Sequence, residues 1–163
     1  MYRNALYEIG NLLQATDGIS RVYIQQRDFN DQFDITNTIG GLQKPTDVLA
    51  VVKTTGVNDL YKPQDFIALG FKMGFTIELF AGVDKVSDYS KSSESSFDRA
   101  CFNVLKKFMD VYHINIIHPD DSEGTLTIES ISGVTPRDMT VIEELNKSAH
   151  HITFTLEAWE TLT

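Results

Sequence analysis

The sequence of 163 residues predicts a single α+β domain, with a largely antiparallel sheet and two helices packed on one face. In two segments the apolar residues recur at steps of three and four, and in several others they alternate with polar residues. The predicted strands come in runs rather than alternating singly with helices, which favours α+β over a doubly wound parallel sheet. The predicted domain spans residues 1–163, with polar loops at about 25–47 and 84–96.

The chain begins with a predicted helix. Across residues 2–13 the apolar side chains fall on one helical face. Asp17 and Gly18 follow, and glycine readily takes the left-handed conformation that ends a helix. Residues 22–24 (Val-Tyr-Ile) then have the composition of a short strand.

A long polar segment follows at residues 25–47. It sustains neither a helical nor a strand period, so it predicts a loop, with one edge strand possible at residues 34–39. Its acidic trio favours a solvated loop over a cation site. The residues concerned are Asp28, Asp31 and Asp34, interleaved with the aromatic residues Phe29 and Phe33.

The clearest strand is predicted at residues 71–80, where apolar and polar side chains alternate, and we expect it to lie centrally in the sheet. Residues 48–55 are rich in β-branched residues and predict another strand, whereas residues 57–69 show no clean period. Gly74, inside the predicted central strand, indicates a bulge or a close backbone approach.

The serine-rich segment 84–96 has too little apolar surface to pack by itself and predicts a connecting loop. A long amphipathic helix is predicted after it at residues 97–112, with Ser95 and Asp98 spaced as a capping pair at its start. Its apolar face is predicted to comprise Phe97, Ala100, Cys101, Val104, Leu105, Phe108, Met109 and Tyr112.

The last third of the chain predicts mainly strands. They are expected at residues 114–117, 126–131 and 152–159, with a turn at 118–121 and one short helical turn at 141–145.

The composition excludes several classes of function. The chain carries 23 acidic and 14 basic residues and a net charge of -9, so a nucleic acid or an anionic membrane would repel it. Cys101 is the only cysteine, which indicates a reducing compartment without disulfides. Apolar runs are too short to span a bilayer and the first residues lack the pattern of a signal peptide, so we expect cytoplasmic synthesis without export.

The best metal candidate is the segment 113–123, because it gathers imidazole and carboxylate groups. Its spacing matches no established metal site, and turns use the same residue types for backbone reasons, so a solvated turn is favoured. A metal-dependent enzyme or a peptide-binding module using this loop is the alternative function. The residues are His113, His118, Asp120, Asp121 and Glu123.

Other reactive residues predict no catalytic site. Cys101 lies on the predicted apolar helix face, which favours inert packing over nucleophilic catalysis. His150 and His151 are adjacent in a strand, so their rings point to opposite faces and cannot converge on one ion. We therefore predict no catalytic residues, no cofactor and no metal.

Two aromatic residues, Phe80 and Trp159, lie on the predicted polar side of their strands. Exposed aromatic side chains are enriched as anchors of protein interfaces. Together with Phe29 and Phe33 they are the candidate interface residues. The alternative is that helices cover both faces of the sheet, or that Phe80 and Trp159 pack beneath the long loops.

The order of elements resembles that of the tail-completion and tail-terminator proteins of tailed phages, which join the head and tail of the virion. The resemblance includes the first helix closed by Asp17-Gly18, the helix at 97–112 and the final strand, where residues 152–157 read Ile-Thr-Phe-Thr-Leu-Glu. It extends over most of the chain and depends on element order and length rather than on a signature motif.

The resemblance implies a non-catalytic structural protein of the virion, assembled in the host cytoplasm. Such proteins form rings that terminate the tail tube or connect it to the head. The implied partners are other copies of this chain and tail-tube or connector proteins, without a membrane or specific nucleic-acid binding. The two polar loops would then reach neighbouring subunits.

Overall fold

The computed structural model describes residues 2–24, 47–61, 70–83, 91–111, 113–132, 138–142 and 147–161. Within these ranges the chain is mixed α+β, as the sequence predicts. The two helices are α1 (Tyr2–Gln14) and α2 (Lys91–Asp110). The seven strands are β1 (Arg21–Ile24), β2 (Val48–Tyr61), β3 (Gly70–Val83), β4 (His113–Ile117), β5 (Glu123–Ser132), β6 (Asp138–Ile142) and β7 (Lys147–Thr161).

The sheet is mixed rather than purely antiparallel. Its main path runs β1-β2-β3-β7-β5-β4, and β6 pairs with the first residues of β7, from Lys147 to His151. Every described pair is antiparallel except β1 and β2, which are parallel, as the long connection between them allows. The predicted central position of β3 is confirmed, since β3 pairs with β2 on one side and with β7 along its full length on the other.

The sheet is curled around the first helix. Helix α1 packs against β1 and β2 and also against β4, although β1 and β4 lie at opposite ends of the strand order. The side-chain nitrogen Nδ2 of Asn4 donates a hydrogen bond to the backbone carbonyl of Ile117, which connects α1 to β4. At Gly10 the helix approaches β1 so closely that an added Cβ would lie 2.8 Å from Cδ1 of Ile24.

The left-handed conformation expected of Gly18 is confirmed, but α1 already ends at Gln14 and Gly18 lies in the turn that follows it. Gly18 has a φ of 94°, in the left-handed region that disfavours other residues. The turn lies against α2, where Nδ2 of Asn103 donates to the Asp17 carbonyl at 2.9 Å. A Cβ on Gly18 would contact the Ala100 backbone at 3.4 Å, so the short side chains here let the turn and α2 approach each other.

One hydrophobic cluster takes side chains from both helices and from alternate positions of the strands. In β7 the even-numbered residues from 150 to 160 are buried and the odd-numbered ones are half-buried, which follows the two-residue period of a strand. The largest fully buried members of the cluster are Leu6, Ile9, Leu13, Met73, Phe75, Ile77, Leu79, Phe97 and Phe154.

Several predicted elements differ from the structure. Helix α2 begins at Lys91, six residues before Phe97, so Ser95 and Asp98 lie inside the helix instead of capping it. Adding residues to a formed helix costs much less free energy than nucleating a new helix. A serine-rich turn can therefore extend a helix that packing already stabilises. Strand β2 continues to Tyr61, and residues 141 and 142 belong to β6 rather than to a helical turn, because pairing with β3 and β7 outweighs local preference.

The bulge expected near Gly74 lies in the neighbouring strand. Gly74 pairs with Gly56, where the register of β2 shifts, and Gly56 has a φ of 108°. The backbone nitrogen of Gly56 donates to Oγ1 of Thr54 at 3.0 Å. The sequence therefore indicated the right place in the sheet but the wrong strand.

Candidate functional site

A buried polar pair, His118 and Glu160, joins the turn between β4 and β5 to the end of β7. His118 is 5% exposed and Glu160 1%, and Nδ1 of the imidazole lies 2.7 Å from Oε1 of the carboxylate. On the other side of the ring, Nε2 lies 2.9 Å from the backbone carbonyl of Thr161. A carbonyl oxygen can only accept a hydrogen bond, so Nε2 donates one to it. Nδ1 forms the second hydrogen bond of the ring, with the side chain of Glu160.

A glycine makes room for this pair. Gly124 pairs with Ile116, and a Cβ built on it would lie 2.0 Å from Nε2 of His118 and 2.8 Å from the Thr161 carbonyl. Any other residue at position 124 would displace the imidazole from between its two partners. The absence of a side chain at Gly124 is therefore a requirement of the pair.

The turn itself is closed by local hydrogen bonds. The backbone nitrogen of His118 donates to the Ser122 carbonyl at 2.8 Å, and Asp121 has a φ of 64°. The side-chain hydroxyl and the backbone nitrogen of Ser122 both donate hydrogen bonds to the Asp120 carboxylate. These bonds, chiefly the one from the hydroxyl, lower the pKa of Asp120 below its ordinary value. These bonds explain the Pro, Asp and Ser composition by backbone geometry.

The candidate metal residues do not converge. His113 lies at the far end of β4, where Nδ1 is 3.0 Å from the Thr127 hydroxyl, and both ring nitrogens of His118 have partners. Within the described ranges, no group of three or more histidine, cysteine, aspartate and glutamate side chains is placed to hold a metal ion. The contacts of this segment are those of a structural turn.

A second histidine–carboxylate pair lies on the opposite side of the sheet. Nε2 of His151 is 3.3 Å from Oε1 of Glu78, and Nζ of Lys53 is 2.6 Å from Oε2. Burial acts to raise the pKa of Glu78, but hydrogen bonds from His151 and Lys53 and the lysine charge outweigh it, so this pKa lies below its ordinary value.

The predicted interface residue Phe80 is buried rather than exposed. It is 1% exposed and its ring stacks on that of His151, with centroids 4.5 Å apart and planes 8° apart. On the other face, His150 stacks on Phe97 at 5.3 Å, so the prediction that the adjacent histidines point to opposite faces is confirmed. Phe80 is thus an internal contact rather than an exposed side chain.

Trp159 is half-buried in β7. Its indole lies over Gly70 of β3, where a Cβ would be 2.6 Å from Cε2 and Nε1 of the ring. Beside it Lys72 is held by Glu129 at 3.3 Å and Glu157 at 3.5 Å, and the hydrogen bond and charge of Glu129 raise the pKa of Lys72. Trp159 therefore covers part of the sheet and is only partly exposed.

Helix α2 carries two large apolar side chains that the sequence did not predict to be exposed. Phe102 is 64% exposed and Met109 65%, and at seven residues apart they lie on the same face of the helix, away from the core. Met109 was predicted to belong to the apolar core face, which is wrong, and Cys101 is only half-buried. The available signal was that Phe102 falls outside the steps of three and four shared by the core residues.

A third exposed apolar residue lies on the β4–β5 hairpin. Ile117, the last residue of β4, is 51% exposed. It borders an open cavity of about 390 Å³ between the adjoining ends of the two strands. The cavity is lined by Asn115, Ile116, Ile117, Glu123, Gly124 and Thr125.

The remaining candidate interface residues, Phe29 and Phe33, lie outside the described residues. Among the described residues, neither helix is long and apolar enough to cross a membrane. Comparison with models of known protein families and with curated proteins finds no match for this chain in either.

Proposed function

We propose that this chain is a non-catalytic assembly protein of a phage virion, a subunit of a ring that terminates the tail or joins it to the head. The observation that carries the assembly role is the exposure of Phe102 and Met109 on one face of α2. The phage assignment follows from the resemblance in element order and length.

The exposed pair supports assembly because of where it lies. Helix α2 has a complete core face, with Phe97, Ala100, Val104 and Phe108 all buried. Phe102 lies on the side opposite this face, so it contributes nothing to the internal packing of the helix. Aromatic and methionine side chains are enriched at protein interfaces, where a partner removes them from water.

The proposal takes both helices to pack on one face of the sheet, as the sequence predicts. The hydrophobic cluster shared by α1, α2 and the strands supports this arrangement. The partners proposed are other copies of the chain and tail-tube or connector proteins, and the proposed location is the virion.

The alternative use of the segment 113–123, as a metal-dependent or peptide-binding site, has one supporting observation in the cavity beside Ile117. Its histidine has both ring nitrogens occupied by Glu160 and Thr161, which opposes the metal version. A melting temperature that rises with added divalent ions and falls with a chelator would favour that version over the assembly role.

The test of the proposed function is the mass in solution over a concentration series, by light scattering coupled to size exclusion. We expect a discrete closed oligomer of the 18.4 kDa chain whose population grows with concentration. A strict monomer up to millimolar concentration contradicts the proposed function.

A further inference from the structure

Two separate surfaces of this chain complement each other. The first, the helix-2 surface, consists of the exposed residues Arg99, Phe102, Lys106 and Met109 of α2. The second, the hairpin surface, consists of Ile117, the cavity beside it and the exposed acidic residues Asp120, Asp121 and Glu123. We propose that the helix-2 surface of one chain docks on the hairpin surface of a second copy.

The shapes and polarity of the two surfaces correspond. Phe102 and Met109 project from a helix, while the hairpin offers an open cavity of about 390 Å³ with the apolar Ile117 at its border. This volume lies in the roughly 300–1,000 Å³ range of cavities that accept a ligand of several heavy atoms. An aromatic or thioether side chain entering it would remove apolar surface on both chains from water.

The charges also correspond. Residues 113–132 contain no lysine or arginine, and the exposed acidic groups beside the cavity give the hairpin surface a negative charge. On α2, Lys106 lies between Phe102 and Met109, and Arg99 lies one turn before Phe102. Asp98 and Asp110 of α2 lie just outside the stretch from Arg99 to Met109. The exposed Arg99 also lies 4.0 Å from the Asp17 carboxylate, so Lys106 is the main cation of this surface.

This complementarity is what selects a second copy as the occupant. A chain with a net charge of -9 repels itself in general, so self-association requires a local pairing of opposite charges. Lysine and arginine beside exposed apolar groups on α2, opposite a hairpin without basic residues, provide that pairing. The contact would bury Lys106 near Glu123 beside the inserted side chain.

The contact is heterologous because its two halves are different surfaces. Each chain then offers one free helix-2 surface and one free hairpin surface, and repeating the contact generates a ring when the rotation closes. The inference rests on the proposed assembly role and names the surfaces through which it acts.

The first test breaks each surface separately. Phe102→Asp removes the projecting side chain and Ile117→Asp makes the border of the cavity acidic, and both positions are exposed enough to tolerate the change. We expect each variant to raise the dissociation constant by roughly 30-fold or more. Asn11→Asp, an exposed substitution on α1 that adds the same charge, is the matched control and should assemble like the wild type.

Mixing the two variants decides the geometry. The Phe102→Asp chain keeps an intact hairpin surface and the Ile117→Asp chain an intact helix-2 surface, so an equimolar mixture should form a one-to-one dimer and stop there. A mixture that stays monomeric overturns the heterologous contact. Dimerisation of the Ile117→Asp chain alone also overturns it, because that outcome is expected if α2 packs on α2 of a second copy about a two-fold axis.

A charge exchange provides the second test. Lys106→Glu and Glu123→Lys should each weaken assembly roughly 3- to 10-fold, and their combination should return it to within about threefold of the wild type. Arg21→Glu, at the exposed first position of β1, is the control. Loss of assembly that the double variant does not restore overturns the proposed pairing.

The outcomes separate this inference from the proposed function. If the wild type assembles but none of these substitutions changes its mass distribution, the docking inference fails and the assembly role stands. If the wild type remains monomeric at millimolar concentration, both fail.

Discussion

Two histidine–carboxylate pairs lie on opposite faces of the same curled sheet, and they differ in burial. On the core face, the His118 and Glu160 side chains are 5% and 1% exposed and 2.7 Å apart. On the other face, His151 and Glu78 are 25% and 18% exposed and 3.3 Å apart, with Lys53 as a third member. The same two chemical groups are therefore held in two different electrostatic environments.

The two pairs differ in how well the remaining group is compensated when its partner is removed. In the core, a carboxylate without its partner has no water to replace it, and Oε2 of Glu160 already has no hydrogen-bond partner among the described residues. On the outer face Lys53 and solvent can replace His151. We therefore expect the loss of one partner to destabilise the protein strongly at the inner pair and only weakly at the outer pair.

The largest expected effect comes from breaking the inner pair. His118→Ala removes the partner of the Glu160 carboxylate and should lower the free energy of unfolding by about 3–5 kcal/mol. The measurement is unfolding in denaturant followed by circular dichroism. The end of β7 should also become more accessible to hydrogen exchange, because the imidazole no longer connects Thr161 to the turn.

A double variant provides the control for this prediction. His118→Leu combined with Glu160→Met replaces the polar pair by apolar groups and should recover most of the lost stability. If the double variant is as unstable as His118→Ala, the effect comes from packing volume rather than from the unpaired carboxylate.

The next largest effect concerns the glycine beside the inner pair. Gly124→Ala places a Cβ where His118 lies, and overpacking of this kind destabilises by roughly 1–3 kcal/mol. In a chain that already carries His118→Ala, Gly124→Ala should be less destabilising than in the wild type, because the imidazole with which its Cβ clashes is absent. Strict additivity in this double-mutant cycle contradicts the proposed fit.

The sequence predicted the elements that have a regular period. Helix α1 and strands β3 and β7 follow from spacing alone, because one side of each is buried in the core. It did not predict β6, a strand of five residues that pairs with β7. It also did not predict the first turn of α2, whose composition is polar and which extends an existing helix.

The candidate sites were less predictable than the fold. His118 and Glu160 are 42 residues apart, and no local pattern indicates that a turn residue reaches a strand end. Phe80 sits in a strand with alternating polarity, so its burial depends on a second covered surface that spacing does not reveal. Phe102 was detectable, since it is apolar at a helix position that the core spacing leaves out.

A smaller effect is expected from the outer pair. Glu78→Gln should lower the free energy of unfolding by only about 0.2–1 kcal/mol near neutral pH, as for partly exposed ion pairs. The pKa of Glu78 is lowered in the folded chain, so the unfolded chain binds a proton first as the pH falls. The contribution of Glu78 is therefore complete above its ordinary pKa of 4.5 and is lost as the pH falls below that value.

The measurement for the outer pair is the difference in stability between wild type and Glu78→Gln from pH 7 to pH 3. The difference should shrink as the pH falls, whereas other carboxylates affect both proteins alike. A difference that is independent of pH, or as large as that of His118→Ala, would remove the distinction between the two faces.

The smallest effect is expected at Lys72, which lies on the same outer face with even less burial. Its pKa is raised chiefly by Glu129, yet solvent surrounds all three charges, so the ion pairs to Glu129 and Glu157 are screened. Lys72→Met keeps the aliphatic stem over the sheet and should leave the unfolding midpoint unchanged at physiological salt, with a small decrease only at low ionic strength. Because methionine keeps the stem, the variant removes only the charge, and a loss of stability that persists at 1 M salt would contradict the screening of these ion pairs by solvent.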